Sequence, residues 1–475
     1  MDILKPDICV IGGGSAGLSV AAAAAAFGVP VVLVENDKMG GDCLNSGCVP
    51  SKALLSAAKH ARAMRDSSAF GVAASDVDVD FIKVRDHVRS VIATIAPVDS
   101  VERFTGLGVQ VIKGHAAFKD KRTVVVDGKI QIRARRIVIA TGSKAAVPPI
   151  PGLDQGPYLT NESVFDLDAL PRHLLIIGGG PIGLEMAQAF RRLGSAVTVC
   201  EAMQPLAKDD PECAAIVLDQ LTREGVALRS GVKVTSVTHG AGTVTLTIES
   251  STGEEKIDGT HLLVAAGRKP TVGELNLEAG GIKFGKSGIA VDKKLKTSNR
   301  RVYAIGDCAA GQLQFTHAAN YHAGLVIRNA LFRLPVTVNN DVIPWVTYTE
   351  PELAQTGLSE AEARKRGLAI RILRWPYHDN DRAQTERTTH GHIKVITSHK
   401  GAILGATIVG AQAGELITLW TLAIAQKLNI RAMTGIVVPY PTLSEIGKRA
   451  AIDYFTPSLT KPIVRRIIGW LRLFG

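Results

Sequence analysis

The amino-acid sequence predicts an α/β protein built around two doubly wound, Rossmann-like parallel sheets. The prediction rests on a pattern that occurs twice, over residues 7–35 and 173–201: an apolar strand, three consecutive glycines, a helical segment, a second strand and a closing acid. Apolar strands that alternate with helices are typical of βαβ units, in which the strands run parallel. Two complete copies in one chain therefore indicate two such sheets.

Both copies carry the glycine spacing Gly-x-Gly-x-x-Gly and an acid 23 residues after the first glycine. The glycines are Gly12, Gly14 and Gly17 in the first copy and Gly178, Gly180 and Gly183 in the second, and the acids are Glu35 and Glu201. In such a turn the first glycine allows a sharp bend, the second lets the backbone approach a pyrophosphate, and the third lets the helix pack on its strand, while the acid accepts a ribose hydroxyl. The sequence thus predicts two dinucleotide sites, and glycine turns without a ligand are the alternative.

Three further apolar strands end in glycine-containing turns, within residues 136–143, 261–270 and 301–310. The last of them ends at Gly306 and Asp307. A carboxylate at the end of such a strand can accept hydrogen bonds from a polyol chain, or it can cap the helix that follows. The local sequence leaves both interpretations of Asp307 open.

Composition narrows the class of protein. A chain of 475 residues suggests about three domains, and its apolar fraction of 46% is ordinary for a globular protein. Six cysteines are too few for a disulfide-stapled secreted fold, and the net charge of +11 comes without a basic, aromatic-rich groove motif, so we expect no nucleic-acid partner. No secretory signal is visible, and glycines and Pro30 interrupt the uncharged run 8–34, so we expect a cytoplasmic protein in which this run is no membrane span.

Two cysteines, Cys43 and Cys48, lie five positions apart in the stretch GGDCLNSGCVPSKALL, residues 40–55. On a regular helix, residues at this spacing are about 140° apart and more than about 7 Å distant, beyond the reach of a disulfide. A bridge would need a distorted turn, which Gly47 allows, and a small strained loop makes its disulfide easy to reduce. The helix predicted to begin here would stabilise a Cys48 thiolate, and Lys52 adds positive charge on the same face. The pattern indicates a redox pair, and a metal-ligand pair is the competing interpretation.

In this order, the motifs resemble those of the flavin-dependent pyridine nucleotide–disulfide oxidoreductases, which include dihydrolipoamide dehydrogenase, glutathione reductase and mercuric reductase. The resemblance covers essentially the whole chain, and residues 40–55 are similar to the family's active-site segment almost letter for letter. It implies a homodimeric enzyme that uses FAD and NAD(H), with NADP(H) as the less favoured nucleotide. It divides the chain into an FAD-binding domain (1–148, continued by a central part, 271–340), an NAD(P)-binding domain (149–270), an α+β dimerisation domain (341–460) and a basic amphipathic C-terminal helix (461–475).

The resemblance also implies roles for single residues, and the spacing of the cysteines, with no second Cys/His pair nearby, predicts no metal site. Cys43 would exchange with substrate, Cys48 would be the thiolate against the flavin, and Lys52 would pair with Glu185 near the flavin. The FAD site would comprise Gly12, Gly14, Gly17, Glu35, Lys52, Ala116, Thr141, Gly142 and Asp307. The nicotinamide nucleotide site would comprise Gly178, Gly180, Gly183, Glu201 and Gly267.

One position departs from the members of the family that handle dithiols. Those members carry His-Pro-Thr-x-x-Glu, whose His–Glu pair moves a proton, whereas this chain has Tyr440 in place of the histidine and retains Glu445. Tyrosine has a reference pKa near 10 and is a poor general base at neutral pH, which weakens the dihydrolipoamide and glutathione assignments. Mercuric reductases are similar in having tyrosine there, but they also carry a C-terminal cysteine pair, and no cysteine follows Cys308 here.

The sequence therefore predicts a mercuric-reductase-like enzyme. Electrons would pass from nicotinamide through FAD and the Cys48–Cys43 pair to an unassigned acceptor, which is a small-molecule disulfide, a metal ion or another compound. Tyr440 and Glu445 would complete the site of the partner chain. Dihydrolipoamide dehydrogenase is the alternative.

The C-terminal segment 461–475 supplies a rival from another class. Its arginines lie on other faces of the predicted helix, and its large apolar side chains fall on one face. These apolar residues are Ile463, Ile467, Trp470, Leu471 and Phe474. This pattern is typical of helices that lie on a membrane surface, and packing on the dimer is the other interpretation. A membrane-docked redox component that serves a protein or quinone partner is therefore a second hypothesis. A catalytically inactive flavoprotein scaffold is disfavoured, because every residue of the electron relay is present.

Overall fold

The computed structural model describes residues 3–73, 77–251, 253–459 and 461–474. The chain forms two units: the first combines Met1–Met203 with Val226–Asn340, and the second combines Gln204–Gly225 with Asp341–Gly475. Each unit has its own sheets and its own apolar core. The finer domain boundaries given by the sequence stay a prediction beside this division.

Strands β1 to β20 lie in the first unit, and strands β21 to β25 lie in the second. In chain order they are β1 (Ile3–Leu4), β2 (Ile8–Ile11), β3 (Val31–Glu35), β4 (Val109–Lys113), β5 (Ala116–Phe118), β6 (Val124–Val126), β7 (Ile130–Ile132), β8 (Arg136–Ile139), β9 (Ser143–Ala145), β10 (His173–Ile177), β11 (Ala196–Glu201), β12 (Val226–Ser230), β13 (Lys233–Gly240), β14 (Thr243–Ser250), β15 (Gly253–Gly259), β16 (His261–Val264), β17 (Arg268–Pro270), β18 (Phe284–Gly285), β19 (Gly288–Ile289), β20 (Val302–Ala304), β21 (Trp345–Thr347), β22 (Glu352–Gly357), β23 (Ile370–Pro376), β24 (His392–Ser398) and β25 (Ile403–Gly410).

The helices are shared between the units, with α7 and all helices from α9 onward in the second. They are α1 (Ser15–Ala26), α2 (Gly41–Asn45), α3 (Cys48–Arg65), α4 (Phe81–Ile95), α5 (Val101–Gly106), α6 (Pro181–Leu193), α7 (Pro211–Arg223), α8 (Thr316–Ala330), α9 (Glu360–Lys365), α10 (Asp381–Thr385), α11 (Ala413–Ala425), α12 (Ile430–Gly435), α13 (Glu445–Asp453), α14 (Thr456–Leu459) and α15 (Pro462–Leu471).

The first unit contains two parallel sheets, as the repeated motif predicts, beside further sheets with antiparallel pairs. One has the strand order β20-β8-β2-β3-β4 and the other β12-β11-β10-β16, and every neighbouring pair in both is parallel. The motif strands β2 and β10 lie inside their sheets, and their residues are buried apart from the first of β10. Burial on both faces explains why these strands are continuously apolar rather than alternating. The predicted α/β class is confirmed.

Helix α1 shows how the first sheet is covered. Its alanine-rich sequence presents little side-chain volume, and Ala16, Leu18 and Val20 pack in one apolar core with residues of α8 such as Ala319 and Ala323. Small side chains allow two helices to lie close over a sheet. The N-termini of both helices are thereby held near the carboxyl ends of the strands, which is where the glycine turns lie.

The second unit is built on an antiparallel sheet of order β21-β22-β25-β24-β23. Helices α11, α12 and α13 contribute Trp420, Met433 and Ile446 to the apolar core of this unit, against sheet residues such as Ile408. An antiparallel sheet with helices packed against it agrees with the α+β expectation for this part of the chain. Within the residues that the structure describes, no helix is long and apolar enough to cross a membrane.

Candidate active site

The two glycine turns have the same geometry. Gly12 and Gly178 adopt φ of +109° and +115°, and a Cβ at Gly17 or Gly183 would collide with the carbonyl oxygen of the first glycine in its own turn. Helices α1 and α6 each begin without a capping side chain. Uncapped N-termini behind such turns offer backbone N–H groups to an anion, so both turns fit the pyrophosphate of a dinucleotide.

The closing acids hold these turns in place. The Glu35 carboxylate is buried and accepts hydrogen bonds from the N–H groups of Gly13 and Asp37. Glu201 does the same in the second copy, accepting from Gly179 at 2.6 Å and from Met203 at 2.9 Å. The two predicted dinucleotide sites therefore share one arrangement of turn, helix and acid.

The cysteine segment is attached to the first of these turns. Gly40 donates its N–H to the carbonyl of Gly13 at 2.9 Å, and Gly14 pairs with Gly40 as an isolated parallel bridge. Gly40 and Gly41 have φ of +85° and +58°, which favours glycine, and a Cβ at Gly41 would lie 2.8 Å from the Cα of Gly14. The consecutive glycines thus bring the cysteine segment, residues 40–55, against the first glycine turn.

The helix breaks between the two cysteines, as their spacing requires. Cys43 lies in α2, which ends at Asn45, and α3 begins at Cys48 after Gly47. Both thiols are free, and a hydrogen bond joins the Cys43 side chain to that of Cys48. This hydrogen bond is the main cause that lowers the pKa of Cys48 to about 6, with Thr316 and the charge of Lys52 acting in the same direction against burial. The same hydrogen bond, followed by burial, raises the pKa of Cys43.

Lys52 and Glu185 meet as the resemblance implies. The Lys52 Nζ lies 2.8 Å from Glu185 Oε2, and the Glu185 side chain is only 6% exposed. Lys52 is one turn along α3 from Cys48, and Glu185 is on α6, the helix of the second glycine turn. The pair places a cation near Cys48 and joins the helices of the cysteine segment and the second turn.

Asp307 hydrogen-bonds to Ser143 in the first unit and does not cap the helix that follows it. Its Oδ2 accepts from the Ser143 hydroxyl at 2.6 Å, and α8 begins after Phe315 without a side-chain cap. Burial raises the pKa of Asp307, against the hydrogen bond from Ser143 and the charge of Arg268. The helix-capping interpretation of Asp307 is therefore wrong, and the carboxylate is held at a strand end where a polyol could reach it.

The remaining residues predicted for cofactors lie in strands and turns of the first unit. Thr141 donates to the carbonyl of Thr271 at 2.6 Å, and Gly142 and Gly267 have φ of +66° and +114°. Ala116 begins β5 and is buried. The residues present fit FAD at the first turn and a nicotinamide nucleotide at the second, while their individual roles stay predictions.

Sequence reasoning missed Thr316, Asp42 and Arg268. Thr316 is the first residue of α8, and its hydroxyl oxygen lies 3.3 Å from Cys48 Sγ. A cavity of about 250 Å³ opens at this point and is lined by Cys43, Thr316, Asn320 and Asp99 among others. A threonine at a helix start is an ordinary residue there, so the sequence carries no signal for this contact.

Tyr440 hydrogen-bonds to Asp381, a residue for which the sequence predicted no role. The phenol is 70% exposed and donates to Asp381 Oδ2 at 2.8 Å, while Glu445 begins α13. The hydrogen bond to Asp381 raises the pKa of Tyr440, so the phenol stays protonated at neutral pH. Asp381 thus orients the hydroxyl of the residue that replaces histidine.

The described part of the chain holds no cluster of metal-ligating side chains. Over residues 3–73, 77–251, 253–459 and 461–474, no group of three or more His, Cys, Asp or Glu side chains is placed to hold a metal ion. Two glycine turns, one of them joined to a thiolate-stabilising cysteine pair, define a nucleotide-dependent dithiol oxidoreductase.

Comparison with known proteins agrees with this class. Residues 6–323 match the pyridine nucleotide-disulphide oxidoreductase family, and residues 343–451 match the dimerisation domain of that family. The chain is 34% identical to a mercuric reductase of Streptomyces lividans, over 96% of this chain and 97% of the relative. It is 35% identical to a dihydrolipoyl dehydrogenase of Staphylococcus aureus, over 94% and 96%.

Solved structures give the same result. The HOCl-induced flavoprotein disulfide reductase RclA from Escherichia coli has a TM-score of 0.83 at 27% identity, and the match covers 96% of this chain and 100% of that one. LpdA from Mycobacterium tuberculosis has a TM-score of 0.87 at 26% identity, over 95% and 99%. The chain belongs to the pyridine nucleotide-disulphide oxidoreductases. It is an FAD- and NAD(P)H-dependent enzyme, and its dimerisation domain supports a homodimer.

Proposed function

We propose that the protein is a mercuric-reductase-like oxidoreductase in which the Cys43–Cys48 pair passes two electrons between the nicotinamide and flavin cofactors and an acceptor. The observation that carries this proposal is the position of Cys48, at the first residue of α3, beside Cys43, Thr316 and Lys52. When bound at the first glycine turn, FAD supplies the two-electron chemistry that links nicotinamide to a dithiol. The enzyme could run in either direction.

The cysteine pair can reduce a disulfide acceptor by thiol–disulfide exchange. Cys43 loses its proton as its sulfur attacks one acceptor sulfur, a mixed disulfide forms, and the acceptor sulfur that is released takes up that proton. The Cys48 thiolate then attacks Cys43, which breaks the mixed disulfide and releases the second acceptor thiol with a second proton. The pair ends as a disulfide and has lost two electrons, and the acceptor has gained two. The cavity beside Cys43 is where such an acceptor would enter.

Tyr440 supports the mercuric-reductase-like subclass over dihydrolipoamide dehydrogenase. A protonated phenol can donate a hydrogen bond but cannot accept a proton from a dithiol at neutral pH. The acceptor itself remains unassigned among disulfides, metal ions and other compounds. The test is anaerobic reduction by NADH followed through the absorbance spectrum, and then a screen of lipoamide, glutathione disulfide, quinones and metal ions. Fast turnover with lipoamide would contradict the subclass.

We propose NADH as the preferred nucleotide. The Glu201 carboxylate is positioned by Gly179 and Met203, and neither arginine nor lysine occurs between it and Lys208. An acid at this place accepts a ribose 2′-hydroxyl and repels a 2′-phosphate.

A third proposal concerns location: the enzyme acts in the cytoplasm and contacts an anionic membrane surface through residues 461–474. Helix α15 buries none of its residues, and Trp470, Leu473 and Phe474 are 59%, 78% and 72% exposed. The sequence 461–475 holds four basic residues and no acid, which complements anionic lipid. The segment also follows residue 451, the last residue matched by the dimerisation domain.

Co-sedimentation of the full-length enzyme with vesicles tests this location. Binding should require phosphatidylglycerol in the vesicles and should fall in the double variant Trp470→Ser/Phe474→Ser and in Arg465→Gln/Arg466→Gln. Phe332→Ser, at an exposed apolar position of the first unit, is the control. No binding to anionic vesicles, together with a changed dimer dissociation constant in the tail variants, would show that the tail packs on the dimer instead.

A further inference from the structure

Asp42 places a negative charge directly beside the exchanging thiol. It precedes Cys43 in α2, and its Oδ1 accepts from Asn161 Nδ2 at 2.8 Å and from the Ser46 hydroxyl at 3.1 Å. Its charge raises the pKa of both Cys43 and Cys48. An unbalanced carboxylate at this position would therefore oppose the thiolate chemistry proposed for the pair.

Arg268 is the cation that faces this carboxylate. Its Nη2 lies 3.2 Å from Asp42 Oδ2, and its Nε lies 3.7 Å from Asp307 Oδ2. The guanidinium is only 14% exposed, so its charge is poorly screened by water.

The backbone fixes Arg268 in this place. Its Nε donates to the Ser143 hydroxyl at 2.7 Å and its Nη2 to the Ser143 carbonyl at 2.9 Å. Arg268 begins β17, which pairs antiparallel with β9, where Ser143 is the first residue. One rigid side chain therefore contacts both the carboxylate next to the exchanging cysteine and the carboxylate of the predicted FAD site.

We propose that Arg268 is a positioning residue that neutralises Asp42 and thereby sets how readily the Cys43–Cys48 dithiol loses its protons. This inference rests on the proposed dithiol function and adds to that site a residue that tunes the acidity of its thiols. The other charged groups around the dithiol are Lys52 with Glu185, the buried Asp307 and the cavity residue Asp99. Lys52, Glu185 and Asp99 lie outside the arrangement that ties Asp42 to Arg268, whereas Asp307 shares the arginine. Asp42→Asn leaves the contact between Arg268 and Asp307 in place and therefore separates the effect of the Asp42–Arg268 pair.

The test uses the reduced holoenzyme and measures how the rate of thiol alkylation by iodoacetamide depends on pH. In Arg268→Gln, the alkylation profile should move to higher pH by about one unit, because Asp42 loses its counter-charge. In Asp42→Asn, it should move to lower pH, while the amide keeps the contacts to Asn161 and Ser46. The double variant should return close to the wild-type profile. Lys269→Gln, on the same strand with an exposed side chain, is the matched control and should leave the profile unchanged.

Two results would overturn the inference. An alkylation profile that does not move in Asp42→Asn would overturn the inference, even if Arg268→Gln failed to fold. A double variant that stays as displaced as Arg268→Gln would show that the arginine acts through structure alone, and Arg268→Lys, which keeps the charge, should then differ from wild type as well. Failure of the proposed function looks different: NADH would then reduce the bound flavin of the wild-type enzyme without making Cys43 and Cys48 available to iodoacetamide.

Discussion

Lys52 Nζ lies 2.8 Å from Glu185 Oε2, and this ion pair connects the helix of the cysteine segment to the helix of the second nucleotide turn. Glu185 is buried, and a buried carboxylate is tolerated when a cation and further hydrogen bonds compensate it. The cation is shared, because the charge of Lys52 also lowers the pKa of Cys48. Because Glu185 compensates the charge of Lys52, we expect the two residues to influence the Cys48 thiolate in opposite senses.

Substitution of this pair should move the Cys48 pKa in two directions. Lys52→Met removes the cation and should raise the pKa by about one unit, whereas Glu185→Gln leaves the Lys52 charge less compensated and should lower it. The pH at which the thiolate-to-flavin absorbance of the reduced enzyme reaches half its maximum reports the change. Lys59→Met, further along α3, is the control. Equal shifts of the same sign in both variants would contradict this account.

The cysteines themselves should be distinguishable by spectroscopy. The two-electron reduced enzyme should show a long-wavelength thiolate-to-flavin absorbance that is present at pH 7 and is lost as the pH falls through about 6, because the Cys48 pKa is lowered to about 6. Cys48→Ser should abolish this absorbance, and Cys43→Ser should show it without any reductant. An undiminished band in the Cys48→Ser enzyme would reverse the assigned roles.

Nucleotide choice provides a separate check on the second glycine turn. We expect kcat/KM to favour NADH over NADPH by at least about tenfold, which corresponds to about 1.4 kcal/mol. Glu201→Gln keeps an oxygen for the N–H groups of Gly179 and Met203 but removes the charge that repels a 2′-phosphate. The preference should shrink in this variant. Equal values for the two nucleotides in the wild type would refute the assignment.

Tyr440 should matter for the acceptor and not for flavin reduction. Lipoamide turnover should be slower than turnover of an artificial acceptor that takes electrons from the flavin, since a positioned acid–base group is worth about 10²–10⁴-fold. Tyr440→His should raise the lipoamide rate, with Glu445 available to orient the imidazole, and Tyr440→Phe should lower turnover of the true acceptor. Asp381→Asn tests the observed partner and should lower it as well. If both changes are silent, Tyr440 only packs at the subunit boundary.

Stability of the second unit should depend on Lys394. Its side chain is 4% exposed, and Nζ lies 2.7 Å from Asp210, 3.2 Å from Glu212 and 2.8 Å from Glu360. Lys394→Met leaves the buried Asp210 carboxylate without its cation and should lower the free energy of unfolding by about 3–5 kcal/mol. All four tryptophans of the chain lie in this unit, so their fluorescence during urea unfolding reports it.

A second change separates the charge effect from lost packing. Asn at position 210 can still cap α7, where Asp210 accepts from the N–H groups of Glu212 and Cys213. Asp210→Asn in the Lys394→Met background should therefore recover part of the lost stability. A further loss would mean that packing of the lysine stem dominates.

Much of this protein was predictable from local sequence patterns, whereas contacts between residues far apart in the chain were not. The glycine turns, their acids and the two parallel sheets were predictable because each signal lies within about 30 consecutive residues. The break between Cys43 and Cys48 followed from helix geometry. The Lys52–Glu185 contact came only from resemblance, since 133 residues separate the two.

The contacts that were missed share a physical reason. Thr316 lies 268 residues from Cys48, and Asp381 lies 59 residues from Tyr440. Arg268 was visible beside Gly267, but an arginine in a turn has no preferred partner until the strands that flank it are paired. Tertiary placement, rather than residue type, decides which carboxylate it neutralises.

The close approach of Gly41 to Gly14 couples two parts of the protein that would otherwise vary separately. A side chain at Gly41 would press on the backbone that receives the nucleotide, so one substitution would damage both cofactor affinity and the geometry of the thiols. A residue other than glycine at position 41 would thus have to satisfy two structural requirements at once. Engineers who wish to alter the cysteine segment should therefore keep Gly41.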